Sequence, residues 1–301
     1  MSSIKSKSSA ITGILFLILI VPIFSQVNSK IRFTTINNVD GLPNNTVNAI
    51  AKDDLGFIWI GTNDGLCRYE SSNHIKVFRA NNPEISGGLQ SSNIRSLYLD
   101  SKNNLWIGTR LGGLTKFHQP SGEWKTFRHD SNNSSSISDD EILTITEDSK
   151  GRLWVGTENG ISVYNYETES FFSFKADKKN PHALQTKAVL TIIEDDKGWI
   201  WAGTWGGGLH LLTLPENGDL EKARFRNFVL NNRAKSKHVW KIFQDDQKRY
   251  WVGSRGAGLF LMQLPSNANN TFTNNNWKPN FHAFITDKSN TTGISLSLIH
   301  I

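Results

Sequence analysis

The segment GWIWAGTWGG, residues 198–207, sets three tryptophans and four glycines in ten positions. Glycine N–H groups can cradle a phosphate, indole faces can stack on a sugar, and glycines can simply turn the chain. A phosphate loop needs Lys-Ser/Thr leading into a helix, and neither follows here. Related phrases recur along the chain, and the residue after the Thr or Ser of each is Asn63, Arg110, Glu158, Trp205 or Arg255. An amide, two guanidinium forks, a carboxylate and an indole suit an acidic or neutral oligosaccharide, stacked on Trp205 and held by Arg110 and Arg255. Ordinary solvated turn residues are the competing reading, because turn positions vary in any case. Glycoside hydrolysis would need two carboxylates about 5–9.5 Å apart. Asp64 and Glu158 are acids outside the repeating framework, but nothing in their spacing singles them out, so no catalytic residue is assigned.

The elements that must position these residues are repeats. GFIWIGTNDGL (56–66), NNLWIGTRLGGL (103–114), GRLWVGTENGI (151–161), GWIWAGTWGGGL (198–209) and KRYWVGSRGAGL (248–259) share one pattern. Their tryptophans, Trp59, Trp106, Trp154, Trp201 and Trp251, are 47, 48, 47 and 50 residues apart. Six residues before each lies an aspartate: Asp53, Asp100, Asp148, Asp195 or Asp245. An aspartate that recurs in every copy reads as a turn former and the tryptophan as a core residue, neither as a catalyst.

Beyond the amino terminus no helical apolar stripe is sustained, while short β-branched and aromatic runs alternate with turn clusters. Each unit reads as four strands, the second flanked by apolar residues on both sides of the Trp and therefore covered on both faces. The pattern predicts an all-β fold, a β-propeller of four-stranded antiparallel blades. Five blades are expected at about 41–80, 88–129, 136–176, 184–230 and 234–286, with 31–38 as a lone outer strand and 287–301 as the start of a further blade. The chain then reads as part of a larger ring. Its last residues, LSLIHI, resemble translated adapter sequence, so the gene is expected to diverge near residue 296.

Residues 1–29 read as a secretory signal peptide: Lys5 and Lys7, an apolar run from Ile11 to Phe24, then small residues near Val27-Asn28-Ser29. An uncleaved anchor is the alternative. The net charge of +6 is scattered, and the densest basic stretch, 226–238, reads as a solvated inter-blade loop, so no nucleic-acid partner is expected. Cys67 is the single cysteine, and the eight histidines form no close pair, which leaves no disulfide framework, metal site or cofactor motif.

The unit GLPNNTVNAIAKDDLGFIWIGTNDGLCRY (41–69) closely resembles the regulator-propeller repeat, found in periplasmic sensors of hybrid two-component systems of Bacteroidetes-type bacteria. Five copies in register carry the resemblance across residues 31–301. Asn103 and Lys248 depart from it, standing where the turn glycine belongs, and Lys248 is expected to be mildly strained. The resemblance implies larger rings, commonly of seven blades. It also implies a downstream membrane helix and histidine kinase, homodimerisation of the full-length sensor, and glycan fragments as ligands that regulate polysaccharide utilisation. An exported propeller enzyme, hydrolase or lyase, and an interaction scaffold are the alternatives.

Overall fold

The computed structural model describes residues 33–71, 74–230, 237–270 and 277–284. The chain divides into a short unit, residues 1–35, and a second unit, residues 36–301, that holds every strand below. The expected signal peptide (1–29) and the start of a further blade (287–301) lie outside the described residues.

Blade one comprises β1 (Val47–Lys52), β2 (Ile58–Thr62), β3 (Gly65–Ser71) and β4 (His74–Phe78). Blade two follows with β5 (Ile94–Leu99), β6 (Asn104–Thr109), β7 (Leu114–His118) and β8 (Glu123–Phe127). Blade three has β9 (Ile142–Glu147), β10 (Leu153–Thr157), β11 (Gly160–Asn165) and β12 (Ser170–Phe174). Blade four has β13 (Val189–Glu194), β14 (Ile200–Thr204), β15 (Gly208–Thr213) and β16 (Arg224–Phe228). Blade five is β17 (Val239–Gln244), β18 (Tyr250–Ser254), β19 (Gly258–Gln263) and β20 (Asn280–Phe284). Every sheet pairs its strands in chain order, antiparallel. First strands neighbour one another from β1 through β5, β9 and β13 to β17, so they form the inner wall of a five-blade partial propeller.

The fixed offset between aspartate and tryptophan has a direct cause. One oxygen of Asp53, Asp100, Asp148, Asp195 and Asp245 accepts the indole N–H of the Trp six residues on, at 2.7–2.9 Å. The other accepts the backbone N–H groups two and four residues on, as Asp148 does from Lys150 and Arg152, which closes the turn between first and second strands. The repeat threonine also bonds locally: the Oγ1 of Thr62, Thr109 and Thr204 donates to the carbonyl of Gly65, Gly113 and Gly208 at 2.9 Å. In the aspartate turns between first and second strands, Asn103 and Lys248 adopt φ of 61° and 63°, a left-handed conformation that a side chain makes costly.

Blades lock through a glycine. A Cβ on Gly61, Gly108 or Gly203 would fall 2.5–2.6 Å from Ile94, Ile142 or Val239 of the next inner strand, so only glycine admits this approach. Trp59, Trp106 and Trp201 each pack between an aromatic of their own outer strand (Phe78, Phe127, Phe228) and one of the next blade (Phe117, Tyr164, Tyr250). At the two ends of the arc this packing stops. Ile50 on blade one is 65% exposed, although its equivalents Ile145, Ile192 and Ile242 are buried. On blade five Phe243 is 48% exposed and Trp251 is half-buried, unlike the other four repeat tryptophans.

Two expectations need correction. Residues 33–37 form no strand, Asn38–Asp40 make a 3-10 turn, and Phe33 is 93% exposed. The outer-strand place of blade five is filled by β20, which pairs with β19. Nor is 226–238 a loop from its start. Arg226–Phe228 belong to β16, and the Arg226 guanidinium lies 4.3 Å from the Trp277 ring while donating to the Trp277 carbonyl.

Candidate ligand-binding site

Each second strand ends at the start of its inner strand, and one backbone bond ties the two ends together. The N–H of Asn63, Arg110, Glu158, Trp205 and Arg255 donates to the carbonyl of Thr46, Asn93, Glu141, Ala188 and His238, at 2.9–3.3 Å. Each acceptor stands immediately before an inner strand. The five residues therefore sit at one end of the inner wall, around one mouth of the channel. Turn length differs among them: two residues precede the closing glycine in blades one and three, three in blades two, four and five.

Side chains gather at this mouth in separate groups. Arg255 holds its guanidinium 4.8 Å from the Trp205 ring, and His238 lies 4.4 Å from it on centroids. Trp240 meets Trp205 edge to face at 6.2 Å. In blades two and three, Arg95 donates to Glu141 at 3.4 Å and Arg110 lies 4.0 Å from the same carboxylate. Partial burial, then the neighbouring Glu141 and Asp139, raises the Glu158 carboxyl above its usual range, while Arg95 pulls it down. Asn63 stands apart and accepts from Asn48 Nδ2 at 2.9 Å. Asp64 pairs with Arg79 at 3.2 Å on the surface. Of the five expected residues, then, only Trp205 and Arg255 touch each other among the described residues.

Sequence reasoning missed the inner strands' own contribution. In every blade the ladder between first and second strands slips by one residue at its start, as in Val239↔Ser254 followed by Lys241↔Gly253. The skipped residues are Asn48, Arg95, Leu143, Leu190 and Trp240. A bulge of this kind re-aims one side chain, and here all five line a central channel of about 540 Å³. The available signal was a position that varies while the Val or Ile before it and the Ile or Leu two residues after it repeat.

Comparisons with known proteins agree with this architecture. The family model described as "Two component regulator propeller" matches residues 41–64, 88–110 and 136–159. A curated relative, histidine kinase P4 of Formosa agariphila, is 34% identical over 160 residues, 49% of this chain and 11% of its own length. Among solved structures, the extracellular domain of BT3049, described as a hybrid two component system of B. thetaiotaomicron, aligns with a TM-score of 0.65. It shares 23% identity over 78% of this chain and 30% of its own. Virginiamycin B lyase from Staphylococcus aureus aligns with a TM-score of 0.55 and 13% identity, over 80% of this chain and 71% of its own. At these identities the two structures speak for the propeller fold alone. The chain thus carries two-component regulator propeller repeats in blades one, two and three, and blades four and five keep the same aspartate-to-tryptophan framework.

Proposed function

We propose that this chain is the ligand-sensing propeller of a two-component signalling protein, exported to the periplasm, where it detects glycan fragments and so regulates polysaccharide utilisation. The observation that carries the reading is the mouth itself. Residues that hold the blades repeat five times, whereas Asn63, Arg110, Glu158, Trp205 and Arg255 differ and converge on one end of the inner wall. Variety at a position shared by all five blades supports a recognition role over a framework one. The kinase relative supports a signalling role for the longer protein, of which this chain spans a fraction, with a homodimer and an inner-membrane anchor as further parts of the proposal. Among the described residues no helix is long and apolar enough to cross a membrane.

Calorimetry with a panel of oligosaccharides tests the site. Trp205→Ala and Arg255→Ala are expected to weaken binding without lowering the melting temperature, because both side chains are exposed. Unchanged affinity in both variants removes the mouth as the site. A second reading, an exported polysaccharide hydrolase or lyase, draws on Glu158, whose raised carboxyl near Glu141 and Asp139 is what a general acid needs. Product release that Glu158→Gln abolishes would favour it; absence of products over the same panel leaves the sensor.

A further inference from the structure

We propose that the channel behind the mouth is a subsite for an anionic sugar ring, which stacks on Trp240 and pairs its carboxylate or sulfate with Lys241 and Arg95. The inference rests on the reading of this end as the ligand end, and adds to it a ligand class and a deeper set of residues.

The bulge at the start of β17 turns Trp240 into the channel, where it stays 42% exposed. An exposed indole offers an apolar ring face to a ligand, and the repeat gives it no framework role, since its equivalents are Asn48, Arg95, Leu143 and Leu190. Trp205 is the less open platform, with Arg255 and His238 already against its ring. Lys241 is equally foreign to the pattern, standing where other blades carry Ala49, Ser96, Thr144 and Thr191.

The charge of the channel has one sign. Among the described residues its charged lining residues are Arg95 and Lys241 and no carboxylate lines it, while Glu141 and Glu158 flank Arg95 at the rim. Glu141 at the rim engages only one amino group of Arg95, at 3.4 Å, and the buried Nε of that guanidinium has no partner. Lys241 has no ion pair among the described residues. Two cations facing a cavity of about 540 Å³, a size typical of small-ligand pockets, call for an anion. An indole beside them supplies the apolar face that a pyranose ring stacks on.

Calorimetry on the full chain separates the sources of the charge, with trigalacturonate as the carboxylate probe, a κ-carrageenan tetrasaccharide as the sulfate probe and cellotetraose as the neutral one. At least one acidic probe is expected to bind about tenfold or more tighter than cellotetraose, the size of one charge-assisted contact, and to weaken in high salt. Trp240→Ala and Lys241→Gln should each loosen it about tenfold, with an unchanged circular dichroism spectrum. Cellotetraose binding as well as both acidic probes, or neither acidic probe binding, overturns the inference. If Trp205→Ala and Arg255→Ala weaken an acidic probe while Trp240→Ala and Lys241→Gln do not, the channel subsite falls and the mouth stands. Binding indifferent to all four variants refutes both.

Discussion

Replacing Asp100 with alanine tests the account of the repeat most directly. Its carboxylate accepts five hydrogen bonds at 2.7–2.9 Å: the backbone N–H of Lys102 and Asn104, the Asn104 side-chain amide, the Trp106 indole and the Tyr166 hydroxyl of the next blade. Trp106 and Asn104 are buried, so their donors cannot turn to water once the carboxylate is gone. Each orphaned donor costs about 1–3 kcal/mol, which puts the loss near 4 kcal/mol, a large part of the ~5–15 kcal/mol typical of a domain. Urea unfolding followed by tryptophan fluorescence, at low protein concentration, should show the midpoint falling by roughly 1–2 M. Asp100→Asn keeps the turn acceptor but points an amide toward the indole N–H, and should lose about 1–3 kcal/mol. Asp130 is exposed and accepts one local bond from Asn132, so Asp130→Ala should stay within about 0.5 kcal/mol of the parent. A loss below about 1 kcal/mol for Asp100→Ala, or one no larger than the Asp130 control, refutes the carboxylate as the pin of the blade.

Three further outcomes follow from the same packing. Burial pushes the His210 imidazole down to about 4, and its Nε2 accepts from the Gln185 N–H, so folding favours the neutral ring. Its contribution is complete above about pH 6.5 and is lost as pH falls through about 4, on the order of 3 kcal/mol; urea midpoints against pH should show this fall, and His210→Gln should flatten it. Gly108→Ala would set a Cβ 2.2 Å from the Ser96 hydroxyl and 2.6 Å from Ile142, and should cost about 1–3 kcal/mol in the same assay. The exposed end faces, Val47 and Ile50 on one side and Phe243 and Phe284 on the other, should drive concentration-dependent self-association; sedimentation velocity should detect it, and Ile50→Glu with Phe243→Glu should suppress it. A concentration-independent monomer would indicate that the faces close on each other.

Most of the framework was legible in the residues because its contacts are local or repeat-bound. The aspartate-to-tryptophan bond spans six residues, the threonine-to-glycine bond three or four, and the interblade lock joins a glycine to a branched residue at a nearly constant distance along the chain. Interactions with a fixed sequence offset leave a period, and a period can be read. The same logic put Asn63, Arg110, Glu158, Trp205 and Arg255 on one end, because turns between second and third strands of an antiparallel meander must share a face. The pairing of Trp205 with Arg255 and His238, the pairing of Arg95 with Glu141, and the aim of Trp240 were decided by tertiary structure alone. These contacts join residues of different blades, or depend on a one-residue slip in a ladder. Alternation along a strand predicts which face a side chain takes only while the register holds; at the bulge it fails, and the residue it releases is the one that lines the channel.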